Sequence, residues 1–227
     1  MVEISVVIPC YNEESNIRTC IRKAFNSFER LGVLGEVIVV DNNSTDKTGE
    51  FAQAEGAKVV LCKEMGYGNA LRCGFENAVG KYIIMADGDD SYDFLEIPLF
   101  YQAMQDYDMV TGTRLKGNIY KGAMPFLHKY LGTPVLTFIL NFLYGTKLSD
   151  SQCGMRMFKR ECLKEIQFKT TGMEFASELF VQFAKNKFTI REIPISLYAV
   201  EGRKSKLNPL RDGLRHLFYL ISALHNT

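Results

Sequence analysis

The chain has 227 residues, 47% of them hydrophobic and 23% charged, with a formal net charge of +1. This composition supports a packed core, excludes a disordered chain and argues against a nucleic-acid binder. Six cysteines without a C-x-x-C pair, and only three histidines, exclude zinc-type ligand spacing and read as free thiols of a reducing cytosol.

In chain order, residues 4–9 (ISVVIP) form an apolar β-branched run that predicts a strand buried on both faces. The preceding residues show neither a basic n-region nor a long apolar segment, so no signal peptide is read. Residues 16–28 carry Ile17, Ile21, Ala24, Phe25 and Phe28 on one helical face. A second strand follows at 36–41, a helix at 45–54, a third strand at 58–62, a helix at 70–78 and a fourth strand at 82–86. Another strand starts at 108–112.

The second half is less regular. Residues 126–144 predict one helix, apolar on nearly all sides. A short strand at 153–159, a helix at 173–187, a strand at 189–198 that includes Pro194, a polar loop at 200–206 and an amphipathic helix at 210–224 complete the chain. The longest apolar stretch, 134–144, is too short to span a bilayer. No linker rich in Pro, Gly or Ser interrupts the chain. The expectation is one domain over 1–227, in two halves at 1–112 and 113–227.

Alternating strands and helices in the first half predict an α/β fold: a mostly parallel sheet with helices on both faces. Such sheets bind ligands outside the carboxyl ends of their strands. That rule selects residues 9–13, 41–46 and 87–90. Asp87-Gly88-Asp89 places two carboxylates in one short turn, where both can reach a divalent cation completed by substrate phosphates. The competing reading is a solvated acidic loop before a helix. Asp41 suits a nucleoside N–H or hydroxyl, or an Asx-turn, a task that fits Asp46 better. Gly66-Tyr67-Gly68-Asn69 lacks the third glycine of a dinucleotide fingerprint and reads either as a tight loop or as backbone close to a phosphate. Arg114, Lys129, Arg203 and Lys206 are candidate phosphate ligands or solvated cations. Asp150, Glu174 and Glu178 are candidate general bases or ordinary surface acids.

Taken together, VVIPCYNEE, VDNNSTDKT, the glycine-rich segment before Ala70 and the D-x-D after YIIMA resemble family 2 glycosyltransferases of the GT-A, Rossmann-like fold. GTR at 112–114, SDSQCGMRMFKRE at 149–161 and RKSK followed by RDGLRHL resemble the polyprenyl-phosphate branch. That branch includes dolichol-phosphate mannose synthases and dolichyl- or undecaprenyl-phosphate glucosyltransferases. Ser91 departs from the mannose synthases, which often carry there a Gln that helps hold the metal. The S-Q-C-G-M-R stretch is closer to the glucosyltransferase members.

The resemblance implies that Pro9, Tyr11 and Glu13 line a nucleoside pocket, that Asp41 reads the base, and that Gly68, Asn69 and Gly88 belong to the donor site. It implies that Asp87 and Asp89 hold Mg²⁺ or Mn²⁺ with the donor diphosphate, Asp89 counting among the catalytic residues with Asp150 and Glu178. Arg114, Lys129, Arg203, Ser205 and Lys206 would hold phosphates. The implied reaction is inverting hexosyl transfer from a nucleotide-sugar, of UDP-glucose or GDP-mannose type, to a polyprenyl phosphate. A lipid monophosphate is already largely dianionic at pH 7, so it needs cations more than a base. The implied location is cytoplasmic and peripheral on a membrane, with residues 126–144 and the last helix as contacts. A homo-oligomer or a separate membrane anchor protein are the further partners considered. The alternatives are transfer to a sugar hydroxyl and non-catalytic nucleotide-sugar binding.

Overall fold

A computed structural model of the chain describes residues 1–200 and 209–224, with the side chains of 209 and 210 left out. Its framework is a seven-stranded sheet in the order β3-β2-β1-β4-β6-β5-β7. The strands are β1 (Ile4–Cys10), β2 (Gly35–Asp41), β3 (Lys58–Leu61), β4 (Tyr82–Met85), β5 (Met109–Thr113), β6 (Arg156–Lys159) and β7 (Ile190–Pro194). All are parallel except β6, which runs antiparallel to both β4 and β5. The mostly parallel α/β sheet expected from the sequence is therefore present.

β1, β2 and β4 are almost wholly buried, as their β-branched runs demand. Two apolar clusters cover the two faces. One packs Ile17, Ile21 and Phe28 of α1 (Ile17–Leu31) with Phe100 of α4 (Ile97–Ala103). The other packs Leu71 and Phe75 of α3 (Tyr67–Asn77) with Leu179, Phe180 and Phe183 of α6 (Phe175–Lys185). Strands from both halves of the sequence share this sheet, because β6 inserts between β4 and β5.

Several expected elements begin or end elsewhere, and three of these differences have a local cause. α2 is Thr48–Ala54, starting later than expected because residues 42–47 form a loop laced to the one after β1. Asp46 Oδ1 accepts from the Thr48 N–H, an Asx-type turn just ahead of the helix, whose N-cap position is Lys47. β7 stops at Pro194, whose ring nitrogen has no N–H for a further ladder bond. The single helix expected over 126–144 is interrupted: a π-type turn at His128–Gly132 precedes α5 (Thr133–Tyr144). Pro134 explains the change, since it cannot donate to the Tyr130 carbonyl and its ring crowds that oxygen. The last helix, α7 (Pro209–Ser222), packs against α5 and α6.

Candidate functional site

The strand order reverses between β1 and β4, and the loops that follow these strands meet there. The loop after β1 is fixed by side chains of the loop after β2. The Asn12 N–H donates to Ser44 Oγ at 3.0 Å, and the Glu13 N–H donates to Thr48 Oγ1 at 2.8 Å. The Thr45 N–H donates to Asn12 Oδ1 at 2.8 Å, while Asn12 holds a left-handed φ of 56°. Pro9 and Glu13 are half-buried and Tyr11 is exposed, so this shelf presents a ring beside polar backbone. Asp41 ends β2 with Oδ1 accepting from the Ser44 N–H at 2.8 Å. This Asx contact uses one carboxylate oxygen, Oδ1.

The glycine-rich segment at the start of α3 packs against residues 170–171. The Gly68 N–H donates to the Thr171 carbonyl at 2.9 Å, and a Cβ there would lie 2.5 Å from the Thr170 carbonyl. Gly66, at φ +136°, is equally tight against Thr171. Asn69 is buried, receiving Arg72 Nη2 at 2.8 Å and donating to the Met65 carbonyl. Gly68 and Asn69 thus help to pack the start of α3 on residues 170–171 and on the Met65 carbonyl. Tyr67, between Gly66 and Gly68, lines the same cavity as Asp87, and its hydroxyl donates to Asp87 Oδ1 at 3.3 Å. Burial, reinforced by the Asp87 carboxylate, pushes the Tyr67 phenol well above its usual range, so it remains a donor. Gly88 is likewise a close-packing glycine, since a Cβ would meet Cys10 Sγ at 2.7 Å.

The two acids of the turn after β4 line different spaces. Asp87 faces a cavity of about 340 Å³ shared with Tyr67, Ser91, Tyr92, Arg114 and Gln152. Its other walls come from residues 122–136 and from α6 and α7. Asp89, with Asp90, faces a separate pocket of about 380 Å³ near Lys23 and Asp93. Asp89 is buried, and its Oδ1 accepts from the Ser91 N–H at 3.0 Å. No group of three or more His, Cys, Asp or Glu able to hold a metal occurs among the described residues. Asp87 and Asp89, two residues apart in one turn, are hard oxygen donors of the kind a divalent cation takes together with substrate phosphates and water.

Arg114 follows β5 and lines the cavity, as its position at a strand end led us to expect. Its Nε and Nη2 bind Asp150 Oδ2 and Oδ1 at 2.7 and 2.8 Å, and its own N–H donates to Asp150 Oδ2. Burial alone would raise the Asp150 carboxyl; the Arg114 charge and bonds outweigh it and hold the group below the usual carboxylate range. Asp150 is therefore committed to orienting Arg114. Glu178 is committed as well. It is fully buried and accepts from the Lys169 and Thr170 N–H groups at 2.8 and 2.9 Å. Glu174 pairs with Arg215 at 3.1 Å.

Lys129 is not among the cavity-lining residues; its Nζ lies over the Tyr130 ring, 5.3 Å from the centroid, while its neighbour His128 lines the cavity. The π-type turn sets this facing, which a regular helix would have placed differently. Arg203, Ser205 and Lys206 lie outside the described residues.

Sequence reasoning missed Tyr67, Tyr92, Arg156 and His216. Tyr92 Oη accepts from the Gly154 N–H at 2.8 Å. Arg156 is fully buried and donates to the carbonyls of Ser151, Cys153 and Ala176, fastening the 150–154 loop to α6. An arginine between Met155 and Met157 in a short apolar strand was the available signal. His216 lines the cavity, and its Nδ1 is 2.8 Å from Ser177 Oγ. Its i, i+4 spacing to Leu220 marked the inward face of α7.

Residues 5–167 match the family model described as Glycosyl transferase family 2. The low-salt glycan biosynthesis hexosyltransferase Agl6 of Haloferax volcanii is 41% identical over 97% of this chain and 54% of its own length, so the chain spans about half of that relative. A dolichyl-phosphate hexose transferase of the same organism is 32% identical over 93% of this chain and 89% of its own. The dolichyl-phosphate beta-glucosyltransferase of Saccharomyces cerevisiae is 28% identical over 90% and 69%. Glucosyl-3-phosphoglycerate synthase from Mycobacterium tuberculosis, solved with Mn²⁺, UDP and glucosyl-3-phosphoglycerate, superimposes with a TM-score of 0.74 at 24% identity. That match covers 98% of this chain and 80% of the other.

Proposed function

The chain belongs to glycosyltransferase family 2 and has the GT-A fold, and we propose that it moves a hexose from a nucleotide-sugar to a polyprenyl phosphate. One observation carries the choice of acceptor. The cavity that holds Asp87 and Arg114 is walled by residues 122–136, and the chain from 126 onward exposes a run of large apolar side chains. Phe126, Leu127, Tyr130, Leu131, Phe138 and Phe142 are all exposed there. An amphiphile with a phosphate at Arg114 and a hydrocarbon tail along this face meets both requirements. The names of the dolichyl-phosphate relatives support the same reading.

In this reading a phosphate oxygen of the acceptor attacks the anomeric carbon from the face opposite the leaving group. The bond from that carbon to the nucleoside diphosphate breaks, and the configuration inverts. Asp87 and Asp89 would hold Mg²⁺ or Mn²⁺, which supplies charge neutralisation to the departing diphosphate. The shelf of Pro9, Tyr11, Glu13 and Asp41 takes the nucleoside. Arg114, kept in place by Asp150, positions the acceptor phosphate. A dianionic nucleophile needs no proton removed, which agrees with Asp150 and Glu178 being committed elsewhere. Transfer to a sugar hydroxyl would call for a base that neither of them provides.

No helix among the described residues is long and apolar enough to cross a membrane. The exposed apolar side chains of residues 126–142, flanked by Lys121, Lys129 and Lys147 with no acid from 121 to 149, suit peripheral contact with an anionic cytoplasmic leaflet. A donor panel of UDP-glucose, GDP-mannose and UDP-N-acetylglucosamine with polyprenyl phosphate and Mg²⁺ or Mn²⁺ tests the reading. We expect a lipid-linked hexose from one donor. Transfer to oligosaccharide hydroxyls with none to lipid phosphate would replace it.

A further inference from the structure

Ser91 has an unmet hydroxyl at the heart of the site. It is 1% exposed, its N–H donates to Asp89 Oδ1, and its carbonyl accepts from the Tyr198 N–H at 2.9 Å. The backbone is thus pinned on both sides. Its Oγ, by contrast, has no hydrogen-bond partner among the described residues. A buried polar atom without a partner disfavours folding, and an alanine would fill the same space without that cost. Ser91 lines the 340 Å³ cavity together with Asp87 and Gln152, and does not line the pocket of Asp89 and Asp90.

The chemistry of this corner selects its occupant. A hydroxyl both donates and accepts, while the Asp87 carboxylate only accepts when ionised. A phosphate placed there would need a divalent cation between it and the Asp87 carboxylate, whereas Arg114 offers it a cation directly elsewhere in the cavity. A neutral polyhydroxyl ring meets both groups: one hydroxyl donates to Asp87 and another exchanges bonds with Ser91. We propose that Ser91 Oγ is a specificity contact for the transferred hexose, hydrogen-bonding one of its ring hydroxyls beside Asp87. This rests on the hexosyl-transfer reading and adds to it the residue that recognises the sugar, as distinct from the nucleotide.

The test is calorimetric and needs no turnover. Wild type and Ser91→Ala are titrated with nucleoside diphosphate, with the nucleotide-hexose, and with donor analogues each lacking one ring hydroxyl, in Mg²⁺ without acceptor. Loss of one neutral hydrogen bond should weaken nucleotide-hexose binding about 2- to 12-fold in Ser91→Ala and leave the diphosphate unchanged. One deoxy analogue should bind more weakly to wild type yet no more weakly to Ser91→Ala than the parent sugar does, the signature of a direct pair. The ligand-free variant should melt at or above the wild-type temperature. Equal nucleotide-hexose affinities would overturn the proposal. So would an equal loss for the diphosphate, which would place Ser91 at the metal, or a lowered melting temperature without ligand. A wild type that binds diphosphate but no hexose donor more tightly overturns it as well. A wild type that binds no nucleotide at all overturns the hexosyl-transfer reading itself.

Discussion

Arg114 and Asp150 form a two-pronged ion pair, Nε to Oδ2 at 2.7 Å and Nη2 to Oδ1 at 2.8 Å, with Asp150 wholly buried. It joins the end of β5 to the loop before β6. The pair leaves Nη1 outside these bonds, so Arg114 can serve a phosphate while its orientation is set from behind.

Removing one member strands the other. Arg114→Ala should cost about 3–5 kcal/mol of stability, because a buried carboxylate loses its only bidentate partner in the described structure. Urea denaturation measures this. Arg114→Lys keeps the charge without the fork and should raise the KM for lipid phosphate about 10-fold, with nucleotide affinity unchanged. Steady-state kinetics beside calorimetry gives both quantities, and parallel losses would place Arg114 at the nucleotide instead.

Asp89→Asn keeps an oxygen able to accept from the Ser91 N–H, so its melting temperature should stay near wild type. Transfer should fall at least about 100-fold, since a neutral amide holds a divalent cation poorly. A metal titration of the rate checks this, and near-normal turnover would exclude Asp89 from the cation.

Glu178→Gln separates a structural carboxylate from a base. It loses charge-assisted bonds to residues 169 and 170 and should destabilise the fold by about 1.5–3 kcal/mol. The pH profile of transfer should keep its shape. A missing ionisation in that profile would restore Glu178 as a base.

His216 makes stability depend on pH. Burial, aided by Arg156 and Arg215 and opposed by Asp212, lowers its pKa from 6.5 to about 4. Between those values the unfolded chain binds the proton and the folded one does not, so stability falls as pH drops from about 6.5 towards 4. The full loss is about 3 kcal/mol at most. Denaturation midpoints of wild type and His216→Asn across that window should diverge at the acid end less than at the neutral end, with the variant showing the flatter slope.

Much of the framework was legible from β-branched runs such as 37–40 and 82–85, whose composition suits a strand buried on both faces whatever its neighbours. The loops holding Asp41, Asp87 and Arg114 followed from the rule that ligands meet strand ends. Side-chain commitment did not. Asp150 and Glu178 looked like surface acids or bases because their partners, Arg114 and the 169–170 backbone, are fixed only by tertiary packing. Gly68 left a tight loop and a phosphate-binding backbone both open, because close approach to residue 170 and to a ligand demand the same absence of Cβ. The π-type turn at His128–Gly132 was implicit in Pro134, whose effect falls one turn upstream.

The insertion of antiparallel β6 between β4 and β5 also governs how the chain is made. The strands β3, β2, β1 and β4 can assemble as soon as residue 85 has left the ribosome. β5 then emerges with no neighbour to pair with, since both its partners, β6 and β7, lie downstream. At roughly 5–20 residues per second the wait for β6 lasts about 2–9 seconds. During that interval an apolar strand with two open edges is the segment most exposed to wrong pairing. Nascent-chain quality control should therefore matter most for this protein between the synthesis of residues 113 and 159, and slower translation in that stretch should lower the yield of folded enzyme.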